Sequence, residues 1–242
     1  MTITESHYDF KLKYDRVDSL SKPDFNVAEI DWILNEAQIV YIKQKYGLNN
    51  TYKTGFEGIQ KRSDDLKALH VKYPLQPKLA LTAIVATELY ELQLSTLTYD
   101  YWFMTGGKVE VIIGTCTTEA TLKFMQEDDR GEIQDDPFNN SHKHEILYNL
   151  AKSITATGNG SIYLYPNGLT LGEISVSYIK KPERVSTGTY AYIDNVTYTE
   201  QGFELSEHTH SEIVDLAVEI AAGITDHPEF AQLKATKYMK SE

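Results

Sequence analysis

The spacing of apolar residues changes twice along this 242-residue chain, and that change constrains the fold more than any single motif. From Asn26 to Leu69 apolar side chains recur three and four apart; from Lys78 to Lys181 they alternate with polar ones; from Ser206 to Ile224 the helical spacing returns. A helix buries one stripe and a strand one face, so the chain reads as helices, then a sheet, then a helix. Asn26 and Glu29 have capping-box spacing, and Phe25 is placed to staple onto Ile30. Ile30, Ile33, Leu34, Ala37, Val40 and Tyr41 form the stripe, with Gly47 positioned to stop the helix in a left-handed residue. Thr54-Gly-Phe-Glu57 opens a second helix through Ile59, Leu66 and Leu69, ended by Pro74 and Pro77 and expected to pair antiparallel with the first.

In the middle stretch Glu91–Leu94, Lys108–Val111 and Glu173–Tyr178 alternate as half-buried strands do, and Asn167-Gly168 predicts a tight hairpin between its flanking strands. Seventeen tyrosines suit strands with one wet side. An acidic stretch, Glu127–Asp136, a Pro-Phe-Asn-Asn turn and a short helix over His144–Ser153 interrupt the strands. After the helix over Ser206–Ile224, Asp226-His-Pro228 breaks the chain before a final short helix to about Lys240. The fold class expected is α+β: a helical bundle formed by N- and C-terminal helices with an inserted antiparallel β domain. Residues 1–25 are expected to be an extended arm, 26–77 and 204–242 the bundle, and 78–203 the β-rich domain.

Charge and composition narrow the function. Thirty-five acidic against 23 basic side chains give a net charge of −12, which argues against affinity built on covering phosphates with Lys and Arg. Apolar runs such as Leu79–Ala86 stop well short of a bilayer span, so no membrane association is expected. The start, Met1-Thr-Ile-Thr-Glu-Ser-His7, has neither the basic opening nor the apolar stretch of a secretory signal, and no export is expected. One cysteine, Cys116, cannot make a disulfide framework and reads as a buried strand thiol.

The motifs that could carry chemistry are sparse. His208-Thr-His210 and His142-Lys-His144 lack an evident third ligand, and the first pair sits in a helical turn where i and i+2 diverge. Asp128-Asp129 and Asp135-Asp136 could hold magnesium but have no partner motif, so a solvated acidic loop is the better reading. Gly106-Gly107-Lys108 lacks phosphate-loop spacing and reads as turn glycines. No cofactor, metal or catalytic residue is expected. Between Glu200 and Phe230 there are eight acidic residues and no Lys or Arg. That one-signed stretch is either a solvated face or a wall past which duplex DNA can slide without sticking.

Glu29-Ile-Asp-Trp-Ile-Leu-Asn-Glu-Ala-Gln38, Gly58-Ile-Gln-Lys-Arg-Ser-Asp-Asp65, Asp136-Pro-Phe-Asn139, Tyr178-Ile-Lys-Lys-Pro182 and Glu204–Ala217 follow one another in the order in which similar stretches occur in a structural protein of crAss-like tailed bacteriophages. The chain thus resembles the ring proteins of the head-to-tail connector over about Asn26 to Glu229, in packing and turn residues and not in a catalytic signature. The resemblance implies a virion protein of the neck, made in the bacterial cytoplasm, forming a ring of about twelve copies beneath the portal. It implies as partners further copies of itself, the portal, other neck ring or tail proteins, and genomic DNA passing through without tight binding. On that reading Trp32, Ile33, Val40, Tyr41, Ile213, Leu216 and Ile220 are the assembly contacts between helices. Glu207, Glu212, Asp215 and Glu219 are candidates to line the DNA passage, and the tail lysines Lys234, Lys237 and Lys240 to reach adjacent rings. Two other readings stay open: a carbohydrate- or receptor-binding β module using Trp102 and the strand tyrosines, and, behind it, a metal-dependent hydrolase using the paired aspartates.

Overall fold

A computed structural model describes residues 1–15, 25–48, 60–84, 88–153, 160–188, 190–191, 197 and 199–224. It contains five α-helices: α1 (Ile3–Asp15), α2 (Val27–Lys43), α3 (Gln60–Leu66), α4 (Arg130–Asp135) and α5 (Glu207–Ile224). Its nine strands are β1 (His70–Val71), β2 (Leu79–Ala80), β3 (Thr82–Ile84), β4 (Leu89–Gln93), β5 (Tyr101–Ile113), β6 (Cys116–Phe124), β7 (Glu145–Lys152), β8 (Gly160–Tyr165) and β9 (Thr170–Lys180). The chain divides into two compact units, Met1–Leu69 with Pro182–Glu242, and His70–Lys181.

In the first unit α5 packs against α1 and α2. The Asn26 N–H donates to Glu29 Oε2 at 2.8 Å, tying up one of the amides that the start of α2 leaves without a helical partner. Phe25 is engaged by α1, edge-on to Phe10 and Tyr14 at centroid distances of 6.0 and 5.1 Å. Helix α1 replaces the expected extended arm. Thr2 and Glu5 exchange two hydrogen bonds at its start, of 2.8 and 3.2 Å, and Ile3, Ser6, Phe10 and Tyr14 face inward at helical spacing. Gly47 does not end α2 in a left-handed residue; the helix runs on through a π-helical turn over Gln44–Leu48. The expected helix start at Thr54–Glu57 and the final helix to Lys240 lie outside the described residues.

The second unit is one mixed sheet of order β1-β9-β5-β6-β7-β8-β4-β3, with β2 also on β9. Strands β6 and β7 run parallel, through a crossover that contains α4; the other pairs are antiparallel. Only Leu81 separates β2, paired with β9, from β3, paired with β4, so this bent segment joins the two ends of the path and closes the sheet on itself. Val109, Val111, Ile146, Ile162, Leu164, Ile174, Val176 and Tyr178 fill one side. The alternate residues Leu147, Tyr163 and Tyr165 pack with Met125 and Ile133 on the other.

These observations correct the expected fold class. The molecule is not an antiparallel β domain inserted in a helical bundle: it is an α+β fold with a large mixed nine-stranded sheet and five helices, and the helices do not form a terminal bundle. One flank of α2 carries Asp31 and Asn35, whose side chains bind the backbone of the irregular stretch after Pro182, bonds that the internally satisfied backbone of another helix could not offer. The helix expected over His144–Ser153 is strand β7; because Ile146, Leu147, Tyr148 and Asn149 are buried on both of its faces, its apolar run lacks the alternation that marks a strand. Asn167 and Gly168 do adopt positive φ, of 47° and 77°, and Leu169 N–H closes the turn on Pro166 O at 3.0 Å. Yet β8 and β9 do not pair: β8 lies between β7 and β4, and β9 bonds to β5 on one side and to β1 and β2 on the other. Gly106 and Gly107 sit inside β5 at a register shift and not in a turn, and a side chain at Gly107 would come within 2.8 Å of Ser175 O. Cys116, at the exposed tip of the β5–β6 hairpin, is not the buried thiol expected.

Candidate assembly surfaces

The first unit is held by a carboxylate buried in it. Asp31 is inaccessible to solvent; its Oδ1 lies 2.6 Å from His7 Nε2 on α1, and its Oδ2 accepts from Tyr190 OH at 2.7 Å and from the N–H and hydroxyl of Thr187 at 3.0 and 3.3 Å. One turn on, Asn35 clasps Val185 through its N–H (2.8 Å) and C=O (2.9 Å). With hydrogen-bond partners at both oxygens and no access to water, Asp31 acts as a joint. A second polar cluster surrounds Lys45, whose ammonium bridges Asp65 and Glu212 at 3.2 Å each and lies 4.9 Å above the Tyr41 ring. Burial, and then the charges of Glu212 and Asp65, raise the Tyr41 phenol far above its ordinary pKa.

Beside the Asp31 joint runs a groove of ≈ 380 Å³, lined chiefly by Phe25, Trp32, Ile33, Tyr190, Ala191 and Ile224. Trp32 is 47% exposed and Ile224 62% exposed. The other residues expected to make helix contacts are placed differently. Ile33, Tyr41, Ile213 and Leu216 are buried inside the unit, and Val40 and Ile220 are half-buried. Ile33 also contributes to the groove wall, and Trp32 is the most exposed of the set.

The candidate DNA-facing carboxylates all lie on α5. Glu207 is exposed at its first turn, 3.0 Å from the Met1 ammonium; Glu212 meets Lys45; Asp215 meets Lys13 at 2.8 Å; Glu219 is half-buried. Lysines distant in sequence thus offset much of a charge that looked unopposed. The candidate tail lysines Lys234, Lys237 and Lys240 lie outside the described residues.

On the second unit the acidic stretch folds into α4 and a tight turn. Asp136 Oδ1 accepts the Phe138 N–H at 2.9 Å, its Oδ2 accepts from Asn139 Nδ2 at 2.6 Å, and its backbone oxygen accepts the Asn140 N–H at 3.0 Å. The Phe138 N–H, then the Asn139 amide, hold the Asp136 carboxyl below the usual carboxylate range. The turn presents Phe138 outward, 91% exposed. Glu127 is bonded to Asn149 and Arg130, and Arg130 lies 5.0 Å over the Tyr165 ring, so these groups knit α4 to the sheet.

The histidine pairs are not brought to a common point. His208 bonds Asp65 at 2.9 Å while His210 bonds Leu205 O at 2.9 Å, and the rings of His142 and His144 stand 6.3 Å apart. Among the described residues no group of three or more His, Cys, Asp or Glu is arranged to hold a metal. Trp102 is half-buried and stacked on its neighbour Phe103 at 4.8 Å, while Tyr148, Tyr163, Tyr165 and Tyr178 are buried in the sheet. No protein-family model matches the chain, and no curated protein matches it at a significant level.

Proposed function

We propose that the chain is a structural subunit of a homo-oligomeric ring, of the kind that joins portal to tail in the neck of crAss-like phages, and that it makes and breaks no bonds. The resemblance of five ordered stretches supplies the type of assembly. The structural observation that supports the reading is the open apolar groove with Trp32 in its wall, a surface that a neighbouring subunit would cover. Buried strand tyrosines, packed as scaffold and not offered as a stacking platform, favour the ring over a sugar-binding module. A ring subunit must present two different faces, because head-to-tail contacts close only by rotation.

The test is native mass spectrometry with negative-stain electron microscopy of the purified protein, and quantitation of the protein in virions. A closed ring with one copy number, present in a fixed ratio to portal, is the expected result. A strict monomer absent from virions overturns it.

A further inference from the structure

We propose that the open edge of β6 is a strand-addition site for an extended, acidic-ended peptide segment of another protein. Such a site would exist whether or not the chain forms a ring. Strand β6 begins at Cys116, but β7 pairs with it only over Thr121–Phe124. Cys116–Ala120 therefore have β5 on one side and, among the described residues, no strand on the other. The Thr121 N–H donates to His144 O at 2.9 Å, which fixes the side to which the Thr121 backbone points; alternation turns the N–H and C=O of Glu119 and Thr117 to that same, open side. Proteins blunt such edges with very short strands, lysine, proline or a bulge. The end strands β1 and β3 are two and three residues long, whereas Cys116–Ala120 contains no Pro, no Lys and no register shift, and its first four residues are exposed. Those five residues offer a template about 17 Å long.

The closed end of this slot selects the occupant. At His144 the chain turns away from β6: His142 and Glu145 exchange two backbone hydrogen bonds, of 2.8 and 3.0 Å, in a tight turn that leaves His142, Lys143 and His144 exposed where the slot stops. Lys143 makes no ion pair among the described residues. The carboxylates nearest to it in sequence and on β6 are engaged: Glu145 by Lys123 at 2.9 Å, Glu119 by Lys108 at 3.1 Å, and Asp136 by the Phe138 N–H and the Asn139 amide. An incoming strand supplies the main-chain partners that Thr117 and Glu119 lack, and a carboxylate at its end meets the Lys143 ammonium, whereas a basic end meets like charge.

The experiment titrates the full chain, under reducing conditions, into a labelled, end-blocked peptide of sequence Asp-Thr-Val-Thr-Val-Thr-Asp and into its Lys-ended counterpart, reading fluorescence anisotropy. The Asp-ended peptide is expected to bind at least tenfold more tightly, and Lys143→Glu to reverse the preference. Thr117→Pro removes an outward N–H while leaving the pairing with β5, which runs through Cys116, Thr118 and Ala120, in place. It is expected to weaken binding at least tenfold with an unchanged circular dichroism spectrum. Hydrogen exchange on the wild-type protein needs no variant: the amides of Thr117 and Glu119 are expected to become protected when the Asp-ended peptide is added. No saturable binding at millimolar peptide, or binding without that protection, overturns the proposal. So does an oligomer of the wild type that Thr117→Pro dissolves while the peptide fails to compete with it, because the edge would then belong to a second copy.

Discussion

Asp31 is the residue through which three separate stretches of the first unit are tied: α1 by His7, α2 by its own backbone, and the return leg by Thr187 and Tyr190. Asp31→Ala strips the acceptor from four buried or half-buried donors at once, and the expected loss is about 3–5 kcal/mol, read as a lower urea midpoint. Asp31→Asn keeps the shape and should cost less. At Tyr41 the sign is alkaline. The folded phenol has the higher pKa, so as pH rises through about 10, the ordinary tyrosine value, the unfolded chain ionises first and stability falls. Tyr41→Phe should flatten the fall in melting temperature between about pH 9 and 11. At Asp136 the sign is reversed: its depressed carboxyl supports the Phe138 turn above the ordinary aspartate range and releases it as pH falls through the lower folded value, so the turn is intact near neutrality. Asp31 stands next to the apolar stripe of α2, and nothing in the neighbouring sequence marks it as buried. Its partners lie 24 and 156 positions away, and nothing local encodes a pairing across such distances.

At the scale of elements, local signals succeeded where an element answers to one environment. Strand β9 alternates because polar and apolar positions meet different surroundings, and α5 shows its stripe for the same reason. The first half of strand β7, Ile146 to Asn149, answers to two buried faces, and that run therefore has no period to read. Helix α1 was legible in part: Thr2-Ile-Thr-Glu5 is a capping-box spacing, masked by the polar residues around it. The groove beside Trp32 was beyond sequence reasoning because Tyr190 and Ala191 reach it from the far side of the sheet insertion. Leu216→Asp places a carboxylate on the buried side of α5 and should cost several kcal/mol, about the sum of a lost leucine and an uncompensated charge; thermal unfolding checks it, and wild-type stability would show that the stripe is not core. Gly107→Ala should cost about 1–3 kcal/mol, because its methyl would meet Ser175 O and Leu122 at 2.8 Å, and urea unfolding would register the loss.

For the whole molecule, assembly and stability are linked. A subunit that folds into a ring gains stability by mass action, so its melting midpoint should rise with protein concentration, whereas that of a monomer should not; differential scanning fluorimetry over a hundredfold concentration range distinguishes them. The division of the chain into units carries a further consequence for how it is made. The sheet unit is continuous from His70 to Lys181, but the first unit needs both Met1–Leu69 and the segment from Pro182 onward. During synthesis the sheet can therefore mature while α1 and α2 still wait, with one Asp31 oxygen lacking its donors, for Thr187, Tyr190 and α5 to leave the ribosome. Because Ile224 lies in the wall of the groove beside Trp32, a nascent chain that has not yet reached the end of α5 has no completed groove.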